Sequence, residues 1–129
     1  MSDARPLVWV ICDSPLLSPL LLAACEEAGG AGSVVGDAEL ALSRLKQGGQ
    51  PALIVVELML GRETGFRTVR RLREGCTCPV VILNGTERAS DAALGLSAGA
   101  QRVLSYPLRA EPLRELLQTQ AANSTEPER

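Results

Sequence analysis

Hydrophobic residues along this chain fall into short unbroken runs, separated by stretches with helical spacing. Leu7-Val8-Trp9-Val10-Ile11-Cys12 is apolar throughout and rich in β-branched residues, the pattern of a strand buried on both faces. Ala52-Leu53-Ile54-Val55-Val56-Glu57 repeats that pattern and ends abruptly in a carboxylate, and Pro79-Val80-Val81-Ile82-Leu83 is a third such run. Ser33-Val34-Val35 and Val103-Leu104-Ser105 read as shorter, weaker strands. After the first run, Asp13-Ser14 reads as a turn and cap. Pro15 or Pro19 suits a first helical turn, where a missing N–H costs nothing, and a helix follows to about Ala28. Gly29-Gly30-Ala31-Gly32 stops it, and Asp37 caps a second helix with Ala38, Leu42 and Leu45 on one face, closed by Gly48-Gly49. A loop over 61–64 precedes a third helix over 65–74, with Phe66, Val69 and Leu72 inward and Arg67, Arg70, Arg71 and Arg73 mostly outward as a solvated face. Asn84-Gly85-Thr86 leads into a fourth helix over 88–98, with Gly99 as its stop, and a fifth spans 110–120.

Strands that are apolar on both faces and alternate with helices predict an α/β fold. The expected form is a doubly wound, flavodoxin-like five-stranded parallel sheet with right-handed crossovers and helices on both faces. One domain is expected over 1–120, followed by a polar, frayed tail over 121–129; there is no internal repeat or interdomain linker. The sequence leaves open whether the chain is free-standing or a piece of a longer protein. In such a sheet ligands gather beyond the carboxyl ends of the strands, which here brings together Cys12, Asp13, Glu57, Asn84 and Tyr106.

Composition narrows the chemistry. A chain of 129 residues with 46% hydrophobic content suffices for one core. With 22% charged residues and a net charge of -2, there is no electrostatic pull toward nucleic acid or anionic membrane. Residues 1–6 lack signal-peptide architecture, and the longest apolar stretch, 16–25, is broken by Ser18 and Pro19, so a cytoplasmic location is expected. Trp9, Phe66 and Tyr106 are all the aromatics, too few for a base-stacking platform. No histidine is present, which removes imidazole general-base catalysis, most transition-metal sites and a phosphohistidine relay through this chain. No GxGxxG or GxxxxGK[ST] cradle follows any strand, against an unrelated phosphate-binding flavodoxin-like enzyme. Cys12, Cys25, Cys76 and Cys78 read as buried or incidental thiols, because Cys76-Thr77-Cys78 is too short for a CxxC knuckle. Redox sensing at Cys12 is disfavoured by the carboxylate beside it.

Five segments, in order, resemble the receiver domain of two-component response regulators across nearly the whole chain. They are Cys12-Asp13-Ser14-Pro15, Val56-Glu57-Leu58-Met59-Leu60-Gly61 with Gly65-Phe66, Pro79-Val80-Val81-Ile82-Leu83-Asn84-Gly85, Gly95-Leu96-Ser97-Ala98-Gly99-Ala100, and Leu104-Ser105-Tyr106-Pro107. In that family a strand-end Asp accepts a phosphoryl group, an acidic pair helps hold a divalent cation, a Ser or Thr hydroxyl contacts the phosphoryl oxygens, and a Lys balances their charge. The resemblance places Glu57 at the acceptor, Cys12 and Asp13 at the acidic pair, Asn84 at the hydroxyl position and Tyr106 at the lysine. It also puts Val103 at a switch position where the family often carries a rotating Tyr or Phe. Only Asp13 matches, so the resemblance is to an atypical, pseudo-receiver member with a degenerate phosphoacceptor pocket.

Each departure has a physical consequence. The extra methylene of Glu57 displaces the attacking oxygen by about one C–C bond. Cys12 replaces a hard oxygen ligand of magnesium with sulfur, leaving Asp13 as a weak metal ligand, and Tyr106 supplies no positive charge. Asp13 is as well suited to capping the first helix as to binding a cation, and Tyr106 to packing over the pocket as to meeting a partner. No catalytic residue, resident cofactor or enzymatic activity is expected. The leading reading is a signalling module acting by protein–protein interaction, independent of aspartyl phosphorylation. It would dock a partner, such as a histidine kinase or an output protein, through the last strand and last two helices. The alternative is a phosphoacceptor response regulator using Glu57 or Asp13 with weak magnesium binding. Leu113, Leu116 and Leu117 on the last helix offer an apolar patch for a homodimer, although core packing claims part of it.

Overall fold

The computed structural model describes residues 5–58, 64–84 and 89–124, with the side chains of 89–92 and 119–124 left aside. The expected 61–64 loop up to Glu63, the stretch 85–88 and the last five tail residues lie outside these. Five strands, β1 (Leu7–Ile11), β2 (Ala31–Val35), β3 (Leu53–Glu57), β4 (Val80–Asn84) and β5 (Arg102–Ser105), alternate with α1 (Ser18–Glu27), α2 (Ala38–Lys46), α3 (Gly65–Arg73), α4 (Ala89–Ala98) and α5 (Ala110–Ser124). The strands form one parallel sheet in the order β2-β1-β3-β4-β5, the doubly wound flavodoxin-like arrangement expected.

Two apolar layers sandwich the sheet. Val8, Val10, Val55, Val81 and Leu83 meet α1 and α5 on one side; Trp9, Ile11, Ile54, Val56 and Ile82 meet α2, α3 and α4 on the other. Each fully buried Val, Leu or Ile contributes roughly 1.5–3 kcal/mol, so burial on both faces explains why the strand runs are continuous rather than alternating. It also fixes register: a one-residue slip of β3 would exchange the faces of Val55 and Val56 and carry Glu57 away from the end of β1.

The local starts and stops follow side-chain chemistry. Asp37 accepts the Leu40 N–H at 2.8 Å and Thr64 accepts the Arg67 N–H at 3.4 Å, capping α2 and α3. Helices α1, α2 and α4 run out at Gly29, Gly48 and Gly99, each with positive φ.

Four expectations need correction. Asp13-Ser14 does not cap α1, which begins at Ser18 with Pro19 in its first turn. Ser14 instead builds a turn ahead of it, its Oγ accepting the Leu17 N–H at 3.2 Å and its carbonyl the Ser18 hydroxyl at 2.8 Å. Arg73 is not part of a solvated face: its Nε donates to the Gly99 carbonyl at 2.8 Å and its Nη1 to the Cys78 carbonyl at 2.5 Å. Leu113, Leu116 and Leu117 are all buried in the core beneath α1, so they offer no surface patch. Helix α5 continues to Ser124, beyond the expected end at Gln120, carried on by the helix-forming Ala121 and Ala122. Among the described residues no helix is long and apolar enough to cross a membrane.

Candidate functional site

All five strands point the same way, so their carboxyl ends share one edge of the sheet. The chain leaves β1 toward β2 on one side and returns to β3 on the other, which opens the crevice where ligands settle in such sheets. Cys12 and Asp13 follow β1, Glu57 ends β3, Asn84 ends β4 and Tyr106 follows β5.

Register and pleat decide which of these meet. Ile11 is paired with Val56, so Cys12 and Glu57 come next, side by side, and both are in phase with Val10 and Val55 on the α1/α5 face. Tyr106 is in phase with Leu104, which packs on that same layer. The three side chains converge. Cys12 Sγ donates to Glu57 Oε1 at 3.3 Å, and the Tyr106 hydroxyl donates to Glu57 Oε2 at 3.1 Å. Each oxygen of the carboxylate thus accepts from a different neutral donor. The ion pairs Arg5–Glu26, Arg71–Glu39 and Arg102–Glu115 lie away from this carboxylate.

Both donors hold their protons. Burial raises the Tyr106 phenol well above its ordinary value, helped by the charge of Glu57 and the hydrogen bond to it. Burial also raises the Cys12 thiol; hydrogen bonds to Ser18 and the Ser14 carbonyl pull the other way, and Glu57 adds to the rise. A thiol held protonated is a poor nucleophile, so Cys12 is unsuited to redox sensing.

The remaining positions differ. Asp13 is exposed at the mouth of the crevice. Asn84 is buried in phase with Ile82, toward the α3/α4 layer, and among the described residues no buried side-chain nitrogen or oxygen lacks a hydrogen-bond partner. Val103 packs on the same layer, with its Cγ2 only 2.5 Å from where a Cβ on Gly95 would sit. A β-branched side chain held there is restricted at χ1.

Gly65 was legible only as part of a motif, yet it shapes the site. Its N–H donates to the Leu58 carbonyl at 2.7 Å, and a Cβ there would come within 2.9 Å of the Glu57 carbonyl oxygen and of Leu58 Cα. Only glycine lets the start of α3 close over the end of β3 this tightly.

Among the described residues at this edge, Cys12 offers sulfur, both Glu57 oxygens already accept protein hydrogen bonds, and Asp13 offers an exposed carboxylate. Among the described residues no group of three or more His, Cys, Asp or Glu could hold a metal ion. Beside Tyr106, a hollow of about 240 Å³ is lined by Leu104, Ser105, Tyr106, Pro107, Arg109 and Pro112. Leu94 and Leu96 on α4 are half exposed.

Comparison with known proteins agrees with this architecture. The family model for the response regulator receiver domain matches residues 8–118. The chain is 37% identical over 67 residues to the transcriptional regulatory protein CiaR of Streptococcus pneumoniae, covering 51% of this chain and 30% of that protein. It is 28% identical over 114 residues to the transcriptional regulatory protein TrcR of Mycobacterium tuberculosis, covering 87% of this chain and 44% of that protein. The chain therefore spans less than half the length of these curated relatives. The receiver domain of the Francisella response regulator 1452 superposes with a TM-score of 0.78 at 22% identity, over 93% of this chain and 99% of that one, a likeness of fold.

Proposed function

The chain belongs to the response regulator receiver domain family, the signalling modules of two-component systems, and on that premise we propose that it is an atypical, pseudo-receiver member whose signalling does not depend on phosphorylation of its acidic pocket. The observation that carries this reading is the pair of neutral donors on Glu57, with Cys12 Sγ on one oxygen and the Tyr106 hydroxyl on the other. Each oxygen keeps a further lone pair, but a hydrogen bond to a charged acceptor is worth about 1.5–3 kcal/mol and weakens as the carboxylate loses its charge on acylation, which disfavours attack. Active phosphoacceptor pockets repay such a loss with a cation and a lysine. Here the donor set does not fit magnesium, which prefers near-octahedral oxygen ligands, and Tyr106 brings no charge.

The output is protein–protein interaction. The end of β5, α4 and α5 present the partly exposed Tyr106, the half-exposed Leu94 and Leu96, and the hollow between Tyr106 and Pro112. Tyr106 joins this surface directly to Glu57, so the docking face is held in one state by an internal hydrogen bond instead of being switched by a phosphoryl group. A signalling partner, a histidine kinase or an output protein of the class this family serves, would meet that face. Asp13 supports a second reading, since it is a carboxylate exposed at the same edge and one phosphorylation assay covers both.

That assay is incubation with acetyl phosphate and magnesium, followed by intact-mass spectrometry. The reading expects no phosphoryl adduct. An adduct that needs magnesium and disappears in Glu57→Gln or Asp13→Asn would replace it with the phosphoacceptor alternative. For the interaction surface, Leu96→Asp should abolish capture of a cognate kinase or output protein while Leu20→Ser, exposed on α1, leaves it intact; the reverse pattern would move the docking face to α1.

A further inference from the structure

At the opposite end of the sheet from Glu57, the loop joining α3 to β4 holds two thiols in contact. Cys76 Sγ and Cys78 Sγ lie 3.4 Å apart with one residue between them. Neither forms a disulfide. Cys76 is partly exposed and Cys78 is buried, and both line a cavity of about 450 Å³, open to solvent, that runs beneath the amino ends of the strands past Gly49 and Pro51. Arg73 sits over the pair, its Nη1 3.9 Å from Cys76 Sγ and bonded to the Cys78 carbonyl.

We propose that Cys76 and Cys78 are a reversible dithiol switch, closing to an intramolecular disulfide by exchange with a low-molecular-weight disulfide that enters through this cavity. Cys76 is the attacking thiol, because it is the accessible sulfur and lies beside the guanidinium. Cys78 is the resolving thiol, because it is buried against Cys76 and cannot meet a large reagent first.

The exchange balances in two displacements. Cys76 loses its proton and its thiolate attacks one sulfur of the small disulfide, breaking that S–S bond, forming a mixed disulfide and expelling one thiolate. Cys78 then gives up its proton and attacks Cys76 Sγ, forming the internal S–S bond and expelling the second thiolate. The two released thiolates take up the two protons. Two protein thiols are oxidised and one small disulfide is reduced to two thiols.

Several features favour this course over inert packing. A disulfide needs sulfurs about 2.05 Å apart, so the pair must close by about 1.4 Å, within a surface loop and not across two packed elements. The Cys76 thiol is lowered to about 6, first by its hydrogen bond with Cys78 and then also by Arg73, while Cys78 is pushed up by the same hydrogen bond and by burial. A ring closed through a single intervening residue is strained, and strained disulfides are the easily reduced, regulatory kind. The other two thiols are unlike this pair: Cys25 is pushed up to about 12, first by burial, and Cys12 is held protonated on Glu57.

The test uses the reduced full chain, exposed to excess glutathione disulfide, blocked with N-ethylmaleimide and digested with trypsin. Residues 74–88 form one peptide carrying both cysteines. The expected product is that peptide lighter by two hydrogens and unalkylated, returning to two alkylated thiols after dithiothreitol. Cys78→Ser should stop at a glutathione adduct on Cys76. The Cys76 alkylation rate in the native protein should rise with a midpoint near pH 6, and Arg73→Met should move that midpoint upward. Two alkylated cysteines in the wild-type peptide after equilibration, or a lasting glutathione adduct in place of the internal bond, would overturn the proposal. The wild-type peptide decides the matter even if a variant fails to fold.

Discussion

The hydroxyl of Tyr106 donates to Glu57 Oε2 at 3.1 Å, joining the residue after β5 to the last residue of β3 across the end of β4. With Cys12 on the other oxygen, both oxygens of the carboxylate accept from neutral side chains, and the consequences are measurable.

Tyr106 is the only tyrosine, so phenolate absorbance reads it alone. Its titration midpoint should lie above the value of about 10 for free tyrosine. In Glu57→Gln it should fall part of the way back, because burial remains while the neighbouring charge is gone. The folded phenol is raised above the unfolded one, so its contribution to stability is complete below about pH 10 and is lost as pH rises from there through the folded value. Tyr106→Phe should cost about 1 kcal/mol in urea denaturation at neutral pH, the usual charged hydrogen-bond value discounted for partial exposure, and should abolish this alkaline loss.

Cys12→Asp sets a second carboxylate against Glu57 Oε1 in place of a donor. Two like charges in a part-buried site repel, and the variant should lose about 1–3 kcal/mol of stability without divalent ions. Magnesium should restore part of that loss in the variant and leave the wild-type Tm unchanged. Thermal denaturation with and without magnesium checks both; a wild-type Tm that climbs with magnesium would show that the native donor set holds the ion.

Gly95→Ala should destabilise. Its Cβ would fall 2.5 Å from Val103 Cγ2 and 3.3 Å from Ile82 Cδ1, so α4 or β5 must shift. Overpacking costs about 1–3 kcal/mol, more than the gain of up to about 1 kcal/mol from replacing a helical glycine. Adding Val103→Ala should recover most of the loss. Failure of that rescue would mean that Val103 is not what fixes the approach of α4 to β5.

Arg73→Met keeps most of the aliphatic stem but loses the bonds to the Gly99 and Cys78 carbonyls. A drop of about 2 kcal/mol is expected, against near zero for Arg70→Met on the exposed side of the same helix. Equal effects in denaturant titrations would contradict the bracing role given to Arg73.

The sheet was legible because its code is redundant. Runs such as Leu53 to Val56 are apolar on both faces, and their alternation with helices points to a covered parallel sheet, while Asp37 announced α2 because a carboxylate just ahead of a helical run can accept the N–H three residues on. The edge that gathers Cys12, Glu57 and Tyr106 followed from strand ends and the crossover rule. What was hidden depends on rotamers and reach. Two prolines close together left two places for α1 to start, and the chain takes the later. Charge pattern sends Arg73 outward, but its long stem lets the guanidinium fold back onto carbonyls. The contact of Cys76 with Cys78 is set by loop geometry that no spacing rule encodes. Likewise, the position of Tyr106 could be read from its order after β5, but its bond to Glu57 could not.

The proposed independence from phosphorylation is tested most directly by adding magnesium and beryllofluoride, an acyl-phosphate mimic, to isotope-labelled protein and following the amide resonances. The account predicts that Asp13, Glu57 and Asn84 stay unmoved at millimolar magnesium. Saturable shifts at those residues, spreading to Val103 and α5, would contradict it and show a working phosphorylation switch.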